Sequence, residues 1–132
     1  MSEPDWAWVA GLYEGEGTCY FHSGQRTTGG WIAQIRIQLA MCDEDVVNRL
    51  PEMTGMGKVY HKNLKGPRKN QWAWVVTNHV DVYMFAKTVW PWLGVRRRLQ
   101  FIDNLQKFNT HFTDVVPKAD KVLDLSIFTG AQ

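Results

Sequence analysis

The sequence predicts an α+β fold: a four-stranded antiparallel sheet with helices on one face. Three observations lead there. Hydrophobic spacing switches between helical and strand periods in the order helix–strand–strand–helix–strand–strand–helix–helix. Each strand pair is joined by a short, polar, glycine-bearing segment of the kind that closes hairpins. Within the strands apolar and polar residues alternate, so one sheet face is greasy and the other hydrophilic. With 132 residues and 45% hydrophobic content, the chain suits one domain with its own core. We place that domain at residues 1–110 and read 111–132 as a C-terminal extension, partly helical or frayed.

The elements follow in order. Pro4 and Asp5 precede WAWVAGLYEG, and Asp5 is expected to cap a helix from Trp6 to about Gly15. Ala7, Gly11 and Gly15 recur every fourth residue in it, a stripe of small residues that lets two backbones approach closely. Contact with the protein's own core and contact with a second copy both suit such a stripe. TCYFHSGQR alternates as a strand, with Cys19 and Phe21 on one face and Thr18, Tyr20 and His22 on the other. GQRTTGG is a polar hairpin loop carrying Arg26. WIAQIRIQLA is the clearest strand, with Ile35, Ile37 and Leu39 opposed to Gln34, Arg36 and Gln38.

Asp43 is expected to cap the helix EDVVNRLPEM, where Val46, Val47 and Leu50 have helical spacing and Pro51 disturbs the middle or marks the end. TGMGKVYHK leads into a third strand, with Lys58, Tyr60 and Lys62 on one face and Val59 and His61 on the other. LKGPRKN is a basic turn with Arg68 and Lys69, and QWAWVVT is a fourth strand directing Trp72, Trp74 and Val76 inward. Asn78 or Asp81 caps VYMFAKTVW, and Pro91 breaks it. LGVRRRLQFIDNLQKF reads as an amphipathic helix with Val95, Leu99, Ile102 and Leu105 inward, and a short helix is expected around Val122 to Phe128.

Net charge is only +2, but it is unevenly spread: residues 1–50 carry −4, residues 51–110 carry +7 and residues 111–132 carry −1. The middle of the chain makes the basic surface, which together with interleaved aromatics points toward nucleic acid. No stretch approaches the ~20 apolar residues of a membrane span. The N-terminal MSEPDW has no signal-peptide pattern, and Cys19 and Cys42 have no metal-ligand spacing. They read as reduced thiols in a cytosolic-type compartment. Neither a membrane nor a small-molecule substrate is expected as a partner.

The polar sheet face collects Thr18, Tyr20, His22, Gln34, Arg36, Gln38, Lys58, Tyr60, Lys62 and Gln71. A plain solvent face favours Lys, Glu and Thr. Glutamine and arginine in a row instead match adenine and guanine edges. One further feature resists a structural explanation. VAGLYEGEG ends its helix with Glu14 and Glu16, although the negative end of a helix dipole favours cations.

VAGLYEGEG resembles the signature of the LAGLIDADG homing endonucleases. Ala10, Gly11, Leu12 and Gly17 match it, Val9 is a conservative replacement, Tyr13 sits at a variable apolar position, and Glu14 and Glu16 stand for the two aspartates. The hairpin–helix–hairpin order over residues 6 to 108 agrees, and GMGKVY and PWLGVRRR are similar to later segments of that family. The resemblance implies an αββαββα fold and a site-specific double-strand DNA endonuclease encoded in or near a mobile intron, intein or phage intergenic region. One motif per chain implies a homodimer on a roughly palindromic site. It implies an interface through Ala7, Gly11, Leu12, Glu14 and Gly15. Glu16 would bind Mg²⁺ with the Gly15 carbonyl, and Mn²⁺ or Ca²⁺ would substitute in binding. Arg96 matches a basic pocket position, with Arg97 the near alternative, and Gln38 is the candidate polar pocket residue. The basic residues Arg26, Arg68, Lys69 and Arg97 join the polar sheet face as expected DNA contacts. The alternative is a non-cleaving DNA-binding regulator or an RNA-splicing maturase on the same scaffold.

Overall fold

The computed structural model describes residues 1–63 and 70–128, so Arg68 and Lys69 lie outside the described residues. The elements are α1 Glu3–Glu16, β1 Gly17–Gln25, β2 Trp31–Met41, α2 Glu44–Thr54, β3 Lys58–Lys62, β4 Gln71–Val76, α3 His79–Val89 and α4 Val95–Thr110. A 3₁₀ turn at Trp90–Trp92 joins the last two helices.

α1 begins earlier than Trp6, and Asp5 is not its cap. The Ser2 hydroxyl accepts from the Asp5 amide at 3.3 Å, and the Asp5 carboxylate accepts in return from the Ser2 amide at 3.2 Å. This is a capping box, in which the acid three residues into the helix partners the cap. Asn78 caps α3, accepting from Val80 and Asp81 amides at 2.9 and 3.2 Å. Asp43 occupies the start of α2 but makes no side-chain capping bond. α2 continues through Pro51 to Thr54 and exits at Gly55, whose φ of 70° suits glycine.

The four strands form one antiparallel sheet in the order β1-β2-β4-β3. The two hairpins therefore join through β2 and β4, leaving β1 and β3 as edges. The inner sheet face contributes Cys19, Ile35, Ile37, Leu39, Trp74 and Val76 to the core. Helices cover it with Val9, Ala10 and Tyr13 from α1, Val47 and Leu50 from α2, Val82, Phe85, Ala86 and Val89 from α3, and Phe101, Leu105 and Phe108 from α4. Tyr13 sits at the centre, stacked 5.3 Å from Phe101 and edge-on to Phe85 at 5.2 Å. Its ring lies where a side chain at Gly17 would be, so close approach, not backbone angle, demands glycine there. Trp72 and Trp74 both belong to the core side; the half-buried Trp72 is stacked by His61 at 4.9 Å.

α4 presents a different face from the one its aliphatic residues suggest. Val95 and Leu99 are 53% and 46% exposed, and Ile102 is only half buried. The inner face is Arg97, Phe101, Asn104, Leu105 and Phe108. Arg97 turns in toward the end of α1, and Asn104 toward the open edge of β1, which α4 lies along and whose backbone groups need partners. Gln100 accepts from the Cys19 amide at 3.2 Å. Asn104 accepts from the Phe21 amide at 2.9 Å and donates to the Cys19 carbonyl at 3.0 Å.

The C-terminal extension is tied down as far as Phe128. Asn109 exchanges two 2.8 Å hydrogen bonds with Leu123, and Tyr83 donates to the Asp124 carbonyl at 2.6 Å. Phe128, 3% exposed, packs on Tyr83 and Trp90. In place of the expected helix from Val122 to Phe128 there are 3₁₀ turns at Ala119–Lys121 and Ser126–Phe128. No described helix is long and apolar enough to cross a membrane.

Candidate nucleic-acid interface

Strand alternation sends Thr18, Tyr20 and His22 of β1, Gln34, Arg36 and Gln38 of β2, Gln71 of β4 and Lys58, Tyr60 and Lys62 of β3 to the face away from the helices. Cross-strand register pairs Thr18 with Gln38, Tyr20 with Arg36 and His22 with Gln34. Lys58, Tyr60 and Lys62 stand exposed along the far edge. No carboxylate shares this face among the described residues, so its cations are unopposed there. Such a face suits a polyanion.

The face is hollowed at its middle. A depression of about 260 Å³ is lined by Arg36, Gln38, Tyr60, Lys62, Ala73, Val75 and Thr77. The last three escaped the sequence reading, although the signal was available. Once Trp72, Trp74 and Val76 face the core, residues 73, 75 and 77 must face outward with Gln71. Arg36 is braced across the ladder: its Nη1 donates to Tyr20 Oη at 3.0 Å, and its guanidinium carbon lies 5.8 Å from the Tyr20 ring centroid. Its Nε is buried with no partner among the described residues.

At one end of this face, α1 runs into β1. Glu16 is exposed and makes no hydrogen bond or ion pair with the described residues. Gly15 beside it is exposed as well, at a helix end where backbone carbonyls lack helical partners. Gln38, opposite Thr18, comes to the same end of the sheet. The small stripe does not pack on the protein's own core at its glycines: a side chain at Gly11 or Gly15 would meet nothing within 4 Å. Ala7 and Leu12 flank it half buried, and Trp8 is 37% exposed.

The structure adds two details. Glu14, expected at an interface with a second copy, is engaged by its own chain: its Oε1 accepts from the Gly94 amide just before α4. Arg97 does not stand on the open face. It is 7% exposed, donates from Nε to the Glu14 carbonyl at 3.1 Å, and donates from Nη1 to Gln100 at 3.2 Å. Burial of its guanidinium against these acceptors removes it from the surface a duplex would touch. Arg96 is exposed and without a partner among the described residues, so of the two it is the one free to reach a phosphate. Thr18 is partly engaged too, accepting from Gln100 Nε2 at 3.2 Å.

Titration adds little to this site. Burial pushes the Cys19 thiol up to about 12, so it is inert inside the sheet. Burial also raises the Tyr13 hydroxyl well above its ordinary range. Among the described residues no three histidine, cysteine or carboxylate side chains converge.

No family model matches the sequence, and no curated protein does. Solved structures do match. The homing endonuclease I-CvuI, in complex with its target in the presence of Ca, is similar with a TM-score of 0.67 and 17% identity, over 97% of this chain and 75% of that one. The group I intron-encoded homing endonuclease I-CeuI, complexed with DNA, has a TM-score of 0.68 at 11% identity, over 99% and 67%. The LAGLIDADG homing endonuclease I-GzeII, in complex with a DNA target, has a TM-score of 0.59 at 14% identity; the match covers 85% of this chain and 39% of that one. At such identities the likeness is one of architecture. On that level the expectation raised by VAGLYEGEG holds: this chain has the fold of the LAGLIDADG homing endonucleases.

Proposed function

We propose that the chain is a site-specific double-strand DNA endonuclease, metal-dependent and active as a homodimer on a roughly palindromic site. The observation that carries this reading is a single juxtaposition. Among the described residues, an outer sheet face without carboxylates adjoins an exposed carboxylate with no partner, Glu16, at the end of a helix whose glycines are open to a partner. A pure binder gains nothing from an acid beside phosphate.

The donors present fit a hard divalent cation. Glu16 offers a free carboxylate and Gly15 a helix-end carbonyl, both oxygen ligands of the kind Mg²⁺ takes. One chain supplies too few protein ligands for a complete site, which suits a cation shared with a second copy, phosphate oxygens and water. When bound, Mg²⁺ stabilises charge on the phosphate and lowers the pKa of coordinated water. The chain's own residues do the rest. The outer face aligns the duplex, with Arg36, Gln34 and Gln38 toward base edges and Lys58 and Lys62 toward backbone. Gln38, opposite Thr18 in the ladder, offers hydrogen bonds at the same end of the sheet as Glu16. Arg96 carries a permanent positive charge for the crowded phosphate but takes no proton, since guanidinium does not deprotonate.

The test is cleavage selection on a random duplex library with Mg²⁺, Ca²⁺ or EDTA, followed by Glu16→Gln. Cut fragments should appear with Mg²⁺ alone, and Glu16→Gln should keep duplex binding while losing cleavage. Binding that survives EDTA, with no cleavage under any divalent ion, would make the chain a DNA-binding regulator. Preference for a folded intron RNA would make it a maturase.

A further inference from the structure

We infer that Glu14 is a positioning residue: it ties the start of α4 to the end of α1 and so holds Arg96 in a fixed relation to Glu16. The inference rests on the nuclease reading above.

A carboxylate at the C-terminal end of α1 looks misplaced as long as α1 is considered alone. The tertiary fold resolves that. Glu14 Oε1 accepts from the amide of Gly94, the N-cap residue just before α4. Gly94 has no side chain with which to cap its own helix, and α4 has no acid in its first turn. Glu14 therefore serves the positive pole of α4, where a carboxylate is favoured, rather than the negative pole of α1.

A second contact runs the opposite way. Arg97 Nε donates to the Glu14 carbonyl at 3.1 Å and lies 3.8 Å from its carboxylate, inside a site where the arginine side chain is 9% exposed. It thus satisfies one of the carbonyls a helix end leaves free. Arg97 continues to Gln100, which also bonds Thr18 Oγ1 and the Cys19 amide. From Glu14 to Cys19, the passage from α1 into β1 is registered against residues 94–100 of α4. Glu16 and Arg96 each lie two residues beyond the Glu14–Gly94 bond. Freeing that bond lets the two chain segments carrying them drift apart, and a shift of about 1 Å is enough to slow a positioned reaction roughly a hundredfold.

The test compares Glu14→Ala with Glu14→Gln in the full chain. Glutamine keeps the oxygen that accepts from Gly94; alanine removes it. Four readouts are taken: amide hydrogen exchange at Gly94, duplex affinity in EDTA, sedimentation, and single-turnover cleavage in Mg²⁺. Glu14→Ala should speed Gly94 exchange at least tenfold and slow cleavage roughly 10- to 100-fold, with affinity and oligomeric state unchanged. Glu14→Gln should restore most of both losses. Cleavage by Glu14→Ala at the wild-type rate, or no recovery in Glu14→Gln, overturns the proposal. Loss of the dimer in Glu14→Ala also overturns it, in favour of an interface role. A wild-type chain that binds duplex but never cuts it refutes the nuclease reading, and this proposal with it.

Discussion

Replacing Asn104 with leucine should strip the open edge of β1 of its partners. The side chain is buried, with 8% of the residue exposed. Its Oδ1 accepts from the Phe21 amide at 2.9 Å, and its Nδ2 donates to the carbonyls of Cys19 at 3.0 Å and Gln100 at 2.9 Å. The Gln100 carbonyl lies within α4 and keeps its helical bond. The Phe21 amide and Cys19 carbonyl are edge-strand groups covered by α4, and leucine would leave both buried and unpaired. Each such orphan costs about 1–3 kcal/mol, so the change should lose about 2–6 kcal/mol, a large share of a typical domain's ~5–15 kcal/mol. Asn104→Asp is the informative companion. It keeps the acceptor for Phe21 but sets a second oxygen against the Cys19 carbonyl, so it should be destabilising near neutrality and recover in acid as the carboxyl gains a proton. Urea unfolding with an unchanged slope measures both variants. A loss below about 0.5 kcal/mol for Asn104→Leu, within the range of ordinary surface changes, would refute the idea that α4 completes the edge of the sheet.

Other outcomes follow from single contacts. Gly17→Ala should destabilise by about 1–3 kcal/mol, read by thermal unfolding, because its methyl falls on the Tyr13 ring, which Phe101 and Phe85 hold in place. Tyr13→Phe should raise the unfolding temperature: it removes a buried hydroxyl with no partner among the described residues, an orphan worth about 1–3 kcal/mol. Gly11→Leu should leave the isolated fold intact, since its side chain enters open space; on the proposed homodimer reading, sedimentation should show the variant as monomer and the unaltered chain as dimer. A dimer that survives Gly11→Leu would place the interface elsewhere. Arg36→Ala should relax preference at one base pair per half-site, at about 1–3 kcal/mol, in a binding selection; a uniform loss across all targets would mean backbone contact instead.

The amino-acid sequence by itself determined the order of the main elements and the two faces of each strand. Period-two alternation in WIAQIRIQLA and QWAWVVT sets which side chains are buried whatever packs on them, because a strand offers only two faces. The same local logic placed Glu16 and Gly17 at the junction of α1 and β1 and put Lys58, Tyr60 and Lys62 on one side. Where the reading went astray, the deciding partner was far away in the chain. Nothing in VRRRLQFIDNLQKF says that Asn104 and Arg97 face inward while Val95 and Leu99 face out. That follows from partners some eighty residues earlier, the open edge of β1 for Asn104 and the Glu14 carbonyl at the end of α1 for Arg97. Nothing in VAGLYEGEG says that Glu14 belongs to another helix's positive pole, because a carboxylate's favourable dipole need not be the one it grows from. Sequence periodicity reports burial, a property summed over many neighbours. The assignment of Glu14 to α4 depends on a single long-range hydrogen bond, and the open position of Glu16 on the lack of one among the described residues; only the tertiary structure decides those.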